Sequence, residues 1–533
     1  MQKSSCLVLA IAAICGDMLA QSNSRGAGYD GALYNIGSAT YYGRRGAAYP
    51  GGEVGVAFMN ALCNPGSMTL EWRAPMLEDH PKFSFMVAKL VGDRMIQISD
   101  WSYCKHAFLS LNDPGTCGTC SNTASAQQMY VGCSDVYAAS NNADRNYLAP
   151  PAEIDPWLGT WNHTGSYFDR GDPDVGSPGN TDGARSTINT GGDPVKNRVT
   201  IKEADLVGIP TGSLFFEIQV VHAGEPAQNR DNNIMSRPFN LTRTTNSWSA
   251  STSGSATHGS LLTRWPGASL SMGGNGNDDG RFLVAVKVTG PTNGLWHYEY
   301  AVQNIDNSRG GASFRLPVCP TGNVTNVGFR DIDQNSLNDW TATVSNGEIA
   351  WMAPSNNPQN WNQLLNFWFD SDVAPIAGNA TIDQARIGAG ALSVSVATTV
   401  PGLQPSVYLG AGCGTPGVEL RANGVPSAGN AAFAVQITSA PNTGVFAFYS
   451  FGSANVGVAP GCVQFLDSQL LGTHGFLLTD GAGNASIPLG VPAGFAPMDL
   501  YWQAASLVTG GPIYNTFGLS NGLLVRLAGT GCQ

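Results

Sequence analysis

Short apolar runs with a period of two, broken every few residues by glycine, proline or asparagine, recur along this sequence and leave it few ways to fold. Alternation at that spacing puts every second side chain on one face of a strand, whereas an amphipathic helix needs apolar residues three and four apart. Runs of this kind are Gly55–Ala61, Met68–Trp72, Phe83–Leu90 and Arg94–Ser99, then Ser213–Val221, Arg281–Thr289, Trp296–Gln303, Asn326–Asp331, Glu348–Met352 and Leu364–Phe369. A last group is Ala431–Thr438, Gly444–Ser450, Leu500–Ala505 and Leu523–Leu527. Asn-Gly turn signals fall at 346–347, 423–424 and 521–522, and only Pro358–Leu365 reads as a helical turn or two. With 66 Gly, 31 Pro and only 12% charged residues, the composition agrees. The expected fold is all-β: two or three antiparallel β-sandwich-like domains with long Gly/Pro/Asn/Asp-rich loops and very little helix.

Residues 1–20 carry Lys3, an apolar stretch from Leu7 to Cys15 and Ala20 before Gln21, the pattern of a secretory signal peptide. No later apolar run reaches the roughly eighteen residues that span a bilayer, so the expected location is secreted or cell-surface. A formal charge of −11, with 27 Lys and Arg and no basic cluster, argues against nucleic acid as a partner. Export also bears on the cysteines, because Cys6 and Cys15 would leave with the signal and the other nine would meet an oxidising compartment.

Four of those nine are spaced C-x12-C-x2-C-x12-C at Cys104, Cys117, Cys120 and Cys133, with Lys105 and His106 beside the first. Four thiolates could hold tetrahedral zinc, or His106 could replace one of them. In an exported chain disulfides are the favoured state, each stabilising the fold by roughly 2 to 4 kcal/mol. Cys63 and Cys319 are left without a near neighbour in the first 375 residues and would lock two regions together if they bridged. Cys413 and Cys462 would form a last pair, with Cys532 left over.

Composition marks the expected divisions. From 376 to the end only eight residues are charged and Trp502 is the sole tryptophan, which sets 376–533 apart as a low-charge β-domain. A softer boundary near 165–197 separates a Cys-rich region, 21–195, from a β-sandwich region, 196–375, and the two could form one unit.

Within the first 375 residues, the run LWHYEYAVQNID would place His297 beside Glu299 on one strand face, with Trp296, Tyr298, Tyr300 and Val302 on the other. A histidine next to a carboxylate suits acid/base work, and His222 ends another run. A hydrogen-bonded pair above an aromatic core is the plainer reading. Acidic loops at Asp169–Asp182, Asn275–Asp279 and Asp331–Asp339 offer the oxygens that Ca2+ takes, with Asp172, Asp174, Asp331 and Asp333 foremost, though none matches an EF-hand. No motif demands a cofactor. Trp157 and Trp161 in EIDPWLGTWNH could form a sugar platform or simply core. The G-x-S-x-G at Gly518–Gly522 leads into a strand and lacks the strand-to-helix setting of a nucleophile elbow.

The blocks HPKFSFMVAKLVGDRMIQISDWSYCKHAFLSL, GCSDVYAAS, LAPPAEIDPWLGTW, LWHYEYAVQNIDNSRGGASFRLP and LLNFWFDSDVAP resemble a group of large exported bacterial proteins. GAGCGTPG, APGCVQFLD, LLTDGAGNASIPL and GLSNGLLVRL resemble the Gly/Pro-rich β-domain that closes many bacterial surface proteins. In similar sequences His106 and the His297–Glu299 segment sit in recognisable motifs. The resemblance implies an exported bacterial protein, and therefore that the sequons at Asn162, Asn240, Asn323, Asn379 and Asn484 carry no glycan; it implies no particular reaction.

Two readings follow. The favoured one is a non-catalytic exported protein, binding or structural, whose partner is an extracellular polymer or a cell-surface component. The alternative is an extracellular enzyme, metal-dependent or not, acting on a polymer through His106, His222, His297 and Glu299.

Overall fold

The computed structural model describes residues 24–528 except 74–75, 107–108, 173–179, 187–190, 276–278, 320–321, 334, 346, 389 and 403–404. The chain divides into two compact units. The first takes residues up to Leu316 with Asn323–Asp372 and Ala377–Val400, and the second takes Pro317–Gly322, Val373–Ile376 and the residues from Pro401. Both are built of antiparallel sheets, so the all-β expectation holds. No described helix is long and apolar enough to cross a membrane.

In the first unit, β1 (Ala32–Gly46) and β2 (Gly52–Cys63) form one sheet. A second sheet contains β3 (Lys82–Val91), β4 (Arg94–Gln97), β5 (Cys104–His106), β6 (Leu214–Val221) and β7 (Ile234–Arg243), with β7, β6, β3 and β5 side by side in that order. A third holds β8 (Arg281–Thr292), β9 (Leu295–Asn304), β10 (Val324–Arg330) and β11 (Leu364–Ser371), ordered β8, β9, β11, β10. The regions before and after residue 196 share the second sheet, because β6 pairs with β3 from Leu214↔Lys89 to Val221↔Lys82.

The second sheet is the middle layer. Phe216, Ile218 and Val220 of β6, with Phe83, Phe85 and Val87 of β3, pack on Val54, Val56, Phe58 and Leu62 of β2. Phe58 stacks on Phe216 with ring centroids 4.1 Å apart, and each such buried side chain stabilises by roughly 1.5–3 kcal/mol. Met86, Met95 and Phe215 on the opposite face meet Leu283, Ala285, Ala301 and Leu364 of the third sheet. Because both faces are covered, LFFEIQVV is buried at every position.

That second interface is also stitched by hydrogen bonds. Glu217 accepts from Leu261 N (2.7 Å) and Gln303 Nε2 (2.6 Å), Trp361 Nε1 donates to Gln219 Oε1 (2.9 Å), and Asn366 Nδ2 donates to the Met95 carbonyl (2.9 Å). Glu217, Gln219 and Asn366 thereby find the partners that burial demands. Burial pushes the Glu217 carboxyl up to about 7.

In the second unit, β12 (Gly444–Ser450), β13 (Leu471–Leu478), β14 (Met498–Leu507) and β15 (Gly522–Leu527) form a sheet ordered β15, β14, β12, β13. A smaller sheet of Glu419–Ala422, Ala434–Thr438 and Asn484–Pro488 covers it. Leu420, Val435 and Ile437 pack there on Val445, Trp502, Leu523 and Val525. Cys413 bridges Cys462.

Candidate functional site

The cysteine-rich stretch separates into two environments. Cys63, at the end of β2, bridges Cys117 with Cα atoms 5.8 Å apart, and Cys120 bridges Cys133 at 4.3 Å. The expected Cys63–Cys319 link is therefore replaced. Pairing of Cys63 with Ser134 across the ladder carries the cysteine-rich loop to the end of β2, whereas Cys319 belongs to the second unit, where it too is disulfide-bonded. Within the loop, buried Asn112 donates to the carbonyls of Ala124 (2.8 Å) and Gln128 (3.0 Å) and accepts from Tyr130 N (3.0 Å). Its φ of 56° is one that asparagine tolerates.

Cys104, expected in a bridge, is instead the free cysteine among the described residues, and it is buried. It lies on β5 in the cluster of Trp161, Tyr167 and Phe168, and is bonded to none of the loop cysteines, which pair with one another or with Cys63. Burial pushes its thiol well above the usual range. Cys532, expected to be the unpaired one, lies outside the described residues, as do residues 1–20 and Asp174.

His106, a candidate of the enzyme reading, is fully buried edge-on to Trp161 (4.8 Å between ring centroids) and Phe168 (5.5 Å). This follows from the position of β5 inside the sheet: Lys82 is opposite His106, and Val221 is opposite Lys82. Lys82 donates its buried ammonium to the carbonyls of Glu78 and Gly159, and burial brings it down to about 7. His222, one residue past Val221, packs against Trp72 (5.8 Å). A Cβ on Gly31 would stand 2.3 Å from its Nε2, so only glycine fits there.

Both ring nitrogens of His106 and of His222 lack a hydrogen-bond partner among the described residues. Burial first, then the charges of Lys82 and His80, hold both rings below the usual histidine value, His222 at about 3. Both are neutral at physiological pH. A cleft of about 350 Å³ in the same unit is lined by Arg25, Arg73, Glu78, Asp79 and His163, with Ala223 and Gly224, which follow His222. Arg25 and Arg73 lie 3.1 to 3.6 Å from Glu71 and Asp79, so the charges at its mouth cancel.

His297 and Glu299 do meet, within a larger network. His297 Nδ1 lies 2.6 Å from Asp370 Oδ1 and Nε2 lies 3.3 Å from Glu299 Oε2. Arg94 grips Glu299 with two bonds of 2.7 and 2.6 Å and lies 3.5 Å above the Trp368 ring. The hydrogen bond to Glu299, then that to Asp370, hold His297 above its usual pKa. When the ring is protonated, it and the guanidinium balance two carboxylates. Tyr298 and Tyr300, on the opposite face, stack on Phe369 (4.9 and 6.2 Å). Asp370 and Arg94 were not singled out by sequence, because Asp370 faces His297 only through strand pairing and Arg94 comes from another sheet.

The remaining candidates are engaged locally. Asp331 accepts from Asp333 N (3.1 Å) and Asn357 Nδ2 (2.7 Å); Asp333 accepts from Asn335 N (2.6 Å) and Asn338 Nδ2 (3.1 Å). Asp172 pairs with Lys196 at 2.6 Å. No group of three or more His, Cys, Asp or Glu among the described residues is placed to hold a metal ion. Trp157 and Trp161 are buried core rather than an open platform. Ser520 is buried as well, its hydroxyl accepting from Ala504 N (2.8 Å).

No protein-family model and no curated protein matches the chain. Among solved structures it is similar to the major pilin subunit of Bacillus cereus, at 9% identity and a TM-score of 0.17, covering 63% of this chain and 88% of that one. It is similar also to α-2-macroglobulin of E. coli, at 8% identity and a TM-score of 0.16, covering 93% of this chain and 23% of that one. Similarity at this level carries no argument about activity or partners.

Proposed function

We propose that the chain is an exported, non-catalytic protein of the bacterial surface or its surroundings, which binds or displays rather than transforms. The observation that carries this reading is the oxidised loop: Cys63–Cys117 and Cys120–Cys133 staple a segment with little core of its own onto the edge of a layered β body. Such cross-links belong to proteins that work in oxidising surroundings. The environment of the histidines supports it too. His297 and Glu299 are tied into an ion network, and His106 and His222 are walled in by Trp161, Phe168 and Trp72. The resemblance to exported bacterial proteins with a Gly/Pro-rich terminal β-domain points the same way. Expression with its own leader in a bacterial host, followed by fractionation and non-reducing mass mapping, tests the reading. Recovery outside the cytoplasm with the cystines formed is expected; a cytoplasmic, fully reduced protein would overturn it.

A further inference from the structure

A second cleft, of about 250 Å³, opens in the first unit between the segment 151–156, Trp101, Asn307–Ser308, Asn360–Trp361 and Arg386. Its aromatic wall is Trp101, partly exposed, whose indole N–H is held by the Trp361 carbonyl (2.8 Å). With that donor engaged, only the ring's apolar surface is left to the cleft. Pro151 and Pro156 add surface with no N–H to satisfy.

Two polar groups complete the lining. Asp155 uses Oδ1 to accept from Trp157 N (3.0 Å) and Leu158 N (2.9 Å), and Oδ2 takes no bond among the described residues. Arg386 donates to the Ser308 carbonyl (3.3 Å) and to Asn360 Oδ1, and it pairs with no carboxylate among the described residues. One acceptor and one donor fork therefore line the same cleft, with charges that cancel. Glu153, also at the wall, accepts from Tyr167 N (2.6 Å). Burial raises it to about 7, so it adds less than a full negative charge near neutrality.

A ligand that suits this lining has an apolar face for an indole and hydroxyls that donate and accept at once. Net charge on it gains nothing, since Asp155 and Arg386 oppose one another. The volume falls just below the roughly 300–1,000 Å³ usual for small-molecule sites, enough for a single ring. We propose that this cleft binds one neutral hexopyranose unit of an extracellular polysaccharide, with Trp101 under the sugar face and Asp155 and Arg386 on its hydroxyls. The proposal rests on the reading of the chain as an exported binding protein and supplies its ligand class.

Isothermal titration of the full exported chain with glucose, galactose, mannose and N-acetylglucosamine, each as monomer and as oligosaccharide, tests it, with oligogalacturonate as the charged comparison. At least one neutral series is expected to bind, with W101A and R386A each weakening it about tenfold or more at an unchanged melting temperature. A monomer that binds while none of its oligomers does identifies the free sugar as ligand and overturns the polymer assignment. The proposal also fails if no neutral sugar binds, if oligogalacturonate alone binds, or if both variants bind as the parent does. Should W101A not fold, R386A decides, because Arg386 is exposed. Export with intact cystines but no sugar binding would refute the cleft and leave the reading of an exported protein standing.

Discussion

His297 on β9 and the pair His106 and His222 beside β3 occupy opposite kinds of environment within one unit. The first is partly exposed and held at both ring nitrogens by carboxylates; the others are fully buried with no ring nitrogen bonded among the described residues. Neighbouring acids raise the first and burial lowers the others. The contrast teaches that a histidine's charge is set by what the sheets bring against it. In sequence the three looked alike as candidates.

The ion network should break hardest. Arg94→Ala would leave Glu299, only 2% exposed, without its guanidinium, and the expected cost is about 3 kcal/mol in urea unfolding. Replacing Arg94 and Glu299 together by methionine should recover most of that loss. On the other side of the comparison, Gly31→Ala drives a methyl into the His222 ring, and a cost of about 1–3 kcal/mol is expected.

Smaller effects carry the sign of the contrast. His297 has a raised folded pKa, so its contribution is full below its ordinary value of 6.5 and fades as pH rises through the folded value. His222 falls from 6.5 to about 3, so stability is retained above 6.5 and lost as pH falls toward 3. H297Q should therefore cost more at about pH 5 than at about pH 8, by about 1 kcal/mol or less because the ring is partly exposed. H222Q should cost less at the lower pH. Identical pH profiles for the two variants would erase the distinction.

Period-two runs bounded by turn residues marked most of the strands they cover, but β1 (Ala32–Gly46) and β7 (Ile234–Arg243) were not among them, and Pro358–Leu365 forms no helix. LFFEIQVV shows why more was not legible. It reads as a strand, yet its burial on both faces depends on β3, more than a hundred residues earlier, and on a third sheet still later in the chain. The His297–Glu299 pair was readable as neighbours on one strand face, while Asp370 and Arg94 required cross-strand register and layer contact. Spacing likewise grouped Cys104 with three loop cysteines, although only folding separates a core strand from the loop that follows it.

The cysteines are thus separated: oxidised on the loop, reduced in the core. Alkylation of the exported chain before and after unfolding, without reductant and with peptide mapping, tests that separation most directly. Cys104 is expected to be unreactive in the folded protein and modified once unfolded, while Cys63, Cys117, Cys120 and Cys133 remain unmodified as Cys63–Cys117 and Cys120–Cys133. Labelling of the loop cysteines, or bound zinc released together with their thiols, would contradict it.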